Sequence, residues 1–283
     1  MSDFLNRQAS PLSDEQWEAF ESVIISTARQ QLVGRRFLSI VGPLGAGVQH
    51  INIDALSGEL EAETDLEGED ESGVIVQARR SYKSIPILYK DFKVNWRDIE
   101  TSETSGIPLD TASAAACAYS VALAEDDLIF NGHTELGISG IFTVQGKTSL
   151  AIGDWNQSGT AYDDVVKAIE ALSLKGFYGP YALVVSPKLF AALNRVYKDT
   201  PYLELDRIKN LMSAGVFQSP AICDDSAVVV STGHQNLDLV IAMDLSLAFL
   251  ETTKMNHTFR VLEMVIPRIK RPDAICTLET NKC

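Results

Sequence analysis

Three consecutive acids, Glu125, Asp126 and Asp127, stand just ahead of His133 and Glu135 in the stretch AEDDLIFNGHTELGISGIF, Ala124 to Phe142. Carboxylates and an imidazole so close together are the residue types that hold a metal ion or pass a proton. Their placement argues for something else. The acids close a run, DTASAAACAYSVALAEDDLIF, that reads as one helix capped by Asp110 and ending near Phe130. Consecutive helical residues point about 100° apart, so three in a row do not converge on one ion. Acids at a helix C-terminus also oppose its dipole, at a cost of roughly 0.3–1 kcal/mol each. The reading is therefore structural: ion pairs with arginines from another element or subunit. Asn131-Gly132 is the helix stop, which leaves His133 in a loop.

Other chemistry is equally thin. GPLGAG (Gly42–Gly47) has the look of a phosphate loop, but Val48 and Gln49 stand where a lysine and a hydroxyl would be needed. His50, His133, His234 and His257 form no HxH or HExxH pattern, so no local zinc site is expected. No GxSxG occurs, and Cys117 lies in the alanine-rich helix, where a cysteine packs as a small hydrophobe. Cys117, Cys223, Cys276 and Cys283 make no CxxC pair, and reduced thiols in the cytosol are the expectation. A net charge of −14 disfavours nucleic acid, whose phosphates need a basic surface. The N-terminus shows no cationic start followed by an apolar run, and no apolar stretch reaches the ~18 residues of a membrane span.

The elements that must position these residues follow from periodicity. With 283 residues, 46% of them hydrophobic, the chain can bury a sizeable core. Ser13-x-x-Gln16 is a capping box, and Trp17, Phe20, Ile24, Ala28 and Leu32 then form one apolar face of a helix closed by Gly34. RFLSIV is a short strand. Acids crowd Asp54 to Glu71, with no Lys or Arg before Arg79, between VQHINI and GVIVQARRSYKSIPILYKDFKVNW, which alternate like strands. That pattern predicts a β-ribbon or extended loop, too slight to stand alone and therefore in need of a neighbouring subunit. AYDDVVKAIEALSLKG, PKLFAALNRVY and LELDRIKNLMSAG (ending at Gly215) read as helices, and GPYALVVS as a strand. SAVVVST, LDLVIAMDLSLAFLE, TFRVLEMVIPRIK and DAICTLE complete an interwoven α+β unit.

Taken together, PLSDEQW, LVGRRFL, GPLGAGVQ, SIPILYKDFKVNWRDIE, AEDDLIFNG, GPYALVVSP, GVFQSP, NLDLVIAMDLSLAFLE and FRVLEMVIPRIKRPDAICTLE resemble the encapsulin shell proteins. This linocin-type family has the tailed-phage major capsid fold, and the resemblance runs in order from Phe4 to about Glu279. It implies an N-terminal lumenal helix with the entry to a peripheral domain (1–48), an extended loop (49–84) and the long-helix part of the peripheral domain (85–134). An axial domain (135–222) and C-terminal strands of the peripheral domain (223–283) follow. It also implies a non-enzymatic subunit that self-assembles into an icosahedral cytoplasmic nanocompartment around a cargo protein held by its C-terminal peptide. The chain is most similar to the longer members, which enclose ferritin-like, iron-oxidising cargo for iron storage and oxidative-stress protection.

Carried over by motif, the cargo-peptide groove would involve Arg35 of GRRF with Phe37 and Ser39, and Asp244, Leu245 and Leu247 of MDLSLAF. Some relatives place an acid where Ser39 stands. In KDTPYLELDR, Asp199, Thr200 and Tyr202 match the loop lining the five-fold pore. One relative type binds flavin against a tryptophan; Trp96 in VNWRDIE is the nearest match, after a strand of different spacing. Three rivals stand beside the shell reading with iron cargo. They are a phage or prophage major capsid protein, a shell with dye-decolourising peroxidase cargo, and a hydrolase or peroxidase in its own right.

Overall fold

The computed structural model describes residues 4–57, 76–198 and 200–280. The capping box forms as the sequence predicts: Gln16 N donates to Ser13 Oγ at 3.2 Å and Ser13 N to Gln16 Oε1 at 3.0 Å. It starts helix α1 (Asp14–Gln31), whose Trp17, Phe20, Ile24 and Ala28 are buried. The helix ends short of Gly34, which instead opens a 3-10 turn, Gly34–Arg36. The constraint at Gly34 is space, since a Cβ there would lie 2.4 Å from Ile129 Cδ1.

Strands β1 (Ser39–Val41), β2 (His50–Ser57), β3 (Val76–Ser84) and β4 (Ile87–Val94) precede helices α2 (Trp96–Ser105) and α3 (Ala112–Phe130). Short strands β5 (Gly132–His133) and β6 (Ile138–Ser139), then β7 (Thr148–Ala151), lead to α4 (Thr160–Ser173). There follow β8 (Tyr181–Val185), α5 (Pro187–Leu193), α6 (Glu204–Leu211), β9 (Gly215–Gln218) and β10 (Ala227–Ser231). Two long strands, β11 (Leu237–Thr253) and β12 (Asn256–Ile269), and β13 (Ile275–Glu279) complete the described chain.

Two sheets carry the architecture. One has the order β1-β11-β12-β4, the other β7-β13-β10-β8-β9, while β2 and β3 pair as a two-stranded antiparallel ribbon. Helices α1 and α3 cover the first sheet. Phe20 stacks on Phe92 of β4 and Phe259 of β12 at centroid distances of 5.8 and 6.4 Å. The second sheet is buried on both faces. Leu183 and Val185 of β8 face α4, α5 and α6, whereas Ala182 and Val184 face Ile129, Phe130 and the first sheet's Leu239 and Val265. Such two-sided burial explains why YALVV reads as an unbroken apolar run.

Several expectations shift. The strand-rich tail divides between the sheets: β10 and β13 pair with each other, and β10 with β8. Residues 223–283 are therefore not a set apart from the middle segment. Helix α2 interrupts what read as strand to Trp96; its signals are Asn95, which caps Arg97 N, and Gly106, left-handed at φ 66°. Helix α6 stops at Leu211, and Gly215, at φ +114°, opens β9 instead of closing a helix. Asp110 lies one residue before the actual N-cap, Thr111, with its Oδ1 accepting from Ala112 N at 2.9 Å. His133 sits in the small β5–β6 pairing. Most of the acidic run falls on residues 58–75, outside the described residues.

Phe20 is fully buried between two stacked rings, so Phe20→Ala should cost about 3–5 kcal/mol. Denaturant unfolding will read this as a lowered midpoint, and limited proteolysis as new cleavage within α1.

Candidate functional site

The acids at the end of α3 do not converge, yet two of them grip the same segment. Asp126 accepts backbone N–H groups from Val33 at 3.1 Å and Gly34 at 2.9 Å, and a hydroxyl from Ser219 at 3.4 Å. Glu125 accepts from Arg35 Nε at 2.8 Å. Arg35 reaches further: Nη2 donates to Glu263 of β12 at 2.8 Å and Nη1 to Asp244 of β11 at 2.7 Å. One guanidinium therefore ties the exit of α1 to α3, β11 and β12. Asp127 turns away and accepts from Asn131 Nδ2 at 2.7 Å. Within the chain an arginine partner thus exists for Glu125, while Asp126 takes backbone N–H groups and Asp127 the Asn131 amide.

Electrostatics follow burial. Desolvation works against the Arg35 charge, but the hydrogen bonds and charge of Glu125 outweigh it and raise the guanidinium above its ordinary value. Burial lifts the Asp126 carboxyl to about 6, against the lowering effect of the Gly34 and Val33 N–H groups. Burial, then the charge of Glu125, pushes Glu263 well above the usual carboxylate range. Its Oε1 is buried and has no hydrogen-bond partner. Burial also pushes Asp244 up, and its contacts with Arg35 outweigh that and hold it below the usual range.

Beside this cluster runs a groove of about 130 Å³, walled by Ile25, Ala28, Arg29 and Leu32 of α1 and by Arg35, Asp244 and Leu245. Of the predicted docking residues it gathers Arg35, Asp244 and Leu245. Phe37 is elsewhere, stacked on Phe130 and Phe217 at 6.3 and 5.9 Å in the core between the sheets. Leu247 is fully buried beneath α1, and Ser39 is half-buried in β1 opposite Asp238. A register shift in β11 between Met243 and Ser246 breaks the alternation there, so spacing alone could not assign these faces. The α1 residues were missed. Ala28 and Leu32 end the core stripe, and Ile25 and Arg29, four residues apart, run along its side; that spacing was the available signal.

Asp199 lies outside the described residues. The rest of its loop is closed by Tyr197 N donating to Tyr202 O at 2.8 Å. Thr200 turns its hydroxyl onto Tyr197 O at 2.6 Å, and Tyr202 stands 58% exposed. Trp96 is the first residue of α2, 37% exposed, with the Arg97 guanidinium 5.6 Å from its ring centroid. Among the described residues no group of His, Cys, Asp and Glu is placed to hold a metal ion, and no helix is long and apolar enough to cross a membrane. Cys117 and Cys276 are buried thiols; desolvation pushes Cys276 up to about 11, away from reactivity.

The arrangement holds elements together and leaves a groove; it assembles no nucleophile with a base. Comparison with known proteins agrees with that description. The profile of the Linocin_M18 family, described as "Encapsulating protein for peroxidase", matches residues 1–266. The chain belongs to this family. A type 1 encapsulin shell protein of Myxococcus xanthus is 46% identical over 279 residues, which is 99% of this chain and 97% of that protein. A ferritin-like–encapsulin shell fusion protein of Pyrococcus furiosus is 25% identical over 209 residues, 74% of this chain and 56% of that protein. Among solved structures, a virus-like particle from Pyrococcus furiosus superimposes with a TM-score of 0.75 at 20% identity, covering 94% of this chain and 100% of that one. The capsid of the myovirus XM1 gives a TM-score of 0.64 at 13% identity, over 85% and 89% of the two chains. The expected phage-capsid fold is thus present, and the encapsulin family membership makes the chain a structural shell subunit with no enzymatic role of its own.

Removing Arg35 would strand two buried carboxylates. Arg35→Ala should therefore lose roughly 3–5 kcal/mol at neutral pH, measurable by thermal or denaturant unfolding. The deficit should shrink on acidification, as the Glu263 carboxyl, pushed well above the usual range by burial, is held neutral. In the parent protein, the stabilisation tied to protonated Asp126 is complete below its ordinary value of 3.8 and lost as pH rises through about 6. Unfolding midpoints measured from pH 4 to 8 should fall through that window.

Proposed function

We propose that many copies of this encapsulin shell protein close into an icosahedral compartment, and that the groove between α1 and β11 seats a short apolar segment at the C-terminus of an enclosed cargo protein. The observation that carries the reading is the groove itself. On a capsid-type subunit, the core stripe of α1 ends in Ala28 and Leu32, which floor a trough that the exposed Ile25 and, opposite, Leu245 border. An apolar trough with charges only at its rim suits a short apolar peptide. The cargo in this reading is a ferritin-like, iron-oxidising protein, supported by the relative in which a ferritin-like unit is fused to the shell.

Electron microscopy of particles from the native host, with mass spectrometry of their contents, tests both levels. Closed shells holding a ferritin-like protein are expected; small oligomers without cargo, or packaged DNA, would overturn the reading. Ile25 is 40% exposed and dispensable to the core, so Ile25→Asp should leave shells closed but at least tenfold poorer in cargo. Glu18→Ala, on the exposed side of α1, should leave loading unchanged.

A further inference from the structure

We infer that the charge at the mouth of the groove is set by one buried proton, held by Glu263 against Glu125 behind Arg35, so that a docking peptide with a cation opposite Asp244 binds more tightly once that proton leaves. The inference rests on the docking reading above and adds to it a ligand charge and a control.

Stoichiometry is the starting point. Arg35 is a single cation facing three carboxylates, Glu125 and Glu263 in the interior and Asp244 at the rim. The first two are 0% and 1% exposed, whereas the Asp244 side chain is 64% exposed. The Arg35 side chain, only 15% exposed, has its donors turned onto these partners, which leaves little for a ligand. Asp244 is the member of the cluster a peptide would meet.

The charges around Glu263 come from every side packed against it. Helix α3 contributes Glu125 and Asp126, the 3-10 turn Arg35, and β11 Asp244. On β4 its cross-strand neighbour is the apolar Leu88. Arg29 of α1 acts at the rim on Asp244, and Asp126 is committed to backbone N–H groups. The interior thus holds one cation for two close carboxylates, and Glu263 Oε1 is left without a partner. Arg35 Nη2 donates to both Glu125 Oε2 and Glu263 Oε2, so the two carboxyls lie side by side, and a proton on the orphan oxygen can supply the missing bond. Burial and the Glu125 charge favour that proton.

Protonated, the interior carries one positive and one negative charge, and Arg35 has charge to share with Asp244. When Glu263 releases its proton to water, the two interior carboxylates together outweigh Arg35. The rim becomes more negative by one unit, without any change in the apolar trough. Ile25, Ala28, Leu32 and Leu245 then seat the same apolar side chains as before, while a lysine or arginine beside Asp244 gains attraction. An acidic peptide would be disfavoured by the same step.

Fluorescein-labelled octapeptides of leucine, valine, serine and glycine, carrying one lysine at each position in turn, are the probe, with norleucine counterparts as controls. Anisotropy with full-length assembled particles is recorded between pH 5.5 and 8.5. At the best lysine position the affinity should rise several-fold with pH while the norleucine series stays flat. Glu263→Gln should remove the rise and hold affinity at its acidic level; Asp244→Asn should remove the lysine preference at every pH. Equal pH dependence of the lysine and norleucine series would overturn the inference and leave peptide docking standing. Failure of every peptide to bind at any pH would overturn the docking reading and the ligand half of the inference with it. The proton is tested separately by the particles' unfolding midpoint. The stabilisation from a Glu263 proton is lost as pH rises through its raised native value, so Glu263→Gln must make that slope shallower, leaving the part that Asp126 contributes; an unchanged slope overturns the proton half.

Discussion

A single guanidinium ties the exit of the subunit's first helix to three other elements. Arg35 leaves α1 through a 3-10 turn and is met by carboxylates from α3, β11 and β12. Ion pairs of this kind are a poor source of net stability, because taking charges out of water offsets most of their attraction. Their value here is positional. The aromatic contacts of Phe20 and Trp17 press α1 onto the sheet, but apolar contact is indifferent to small slides along an axis. The charge cluster at the end of the helix is directional, and it fixes where the groove wall stands relative to Asp244 and Leu245.

The same cluster explains why a stretch that looks catalytic is not. Acids beside a histidine suggest chemistry only if their side chains meet, and the helix sends Glu125, Asp126 and Asp127 in different directions. Two of those directions lead to one tripeptide, Val33-Gly34-Arg35, approached through backbone by Asp126 and through side chain by Glu125. In a family of shell proteins this fits the demands on the chain: a wall needs elements locked in register, and chemistry can be left to what the wall encloses.

Much of this was legible beforehand and some was not, for identifiable reasons. The capping box, the apolar stripe of α1 and the long strands β11 and β12 depend on local pattern, and local pattern is what a sequence displays. Helix α2 was hidden because Asn95 and Gly106, its two end signals, flank a segment with one buried residue, Ile99. The placement of β10 and β13 in the second sheet depends on long-range pairing, which alternation does not encode. At the groove, motif matching found Arg35, Asp244 and Leu245. It could not tell Phe37 and Leu247, which point into cores, from their neighbours: Phe37 follows an irregular 3-10 turn, and a register shift in β11 removes the simple inside–outside rule around Leu247. Arg35 itself was expected to face a ligand, and only the geometry shows its donors already turned inward.

Asp126 holds the main chain of residues 33 and 34 and touches neither side chain with its hydrogen bonds. A lock of that type is blind to what the gripped residues are. At position 33 many side chains can be exchanged without loosening it, provided they fit the core. At position 34 any side chain must displace its surroundings, because the closeness that lets the carboxylate reach the backbone is the closeness that leaves 2.4 Å between a Cβ and Ile129 Cδ1. The junction therefore concentrates its intolerance in one small residue and one acid that are far apart in the chain. Sequence drift in this shell protein can pass through position 33 and still leave the helix where it was, whereas Gly34 and Arg35 must stay.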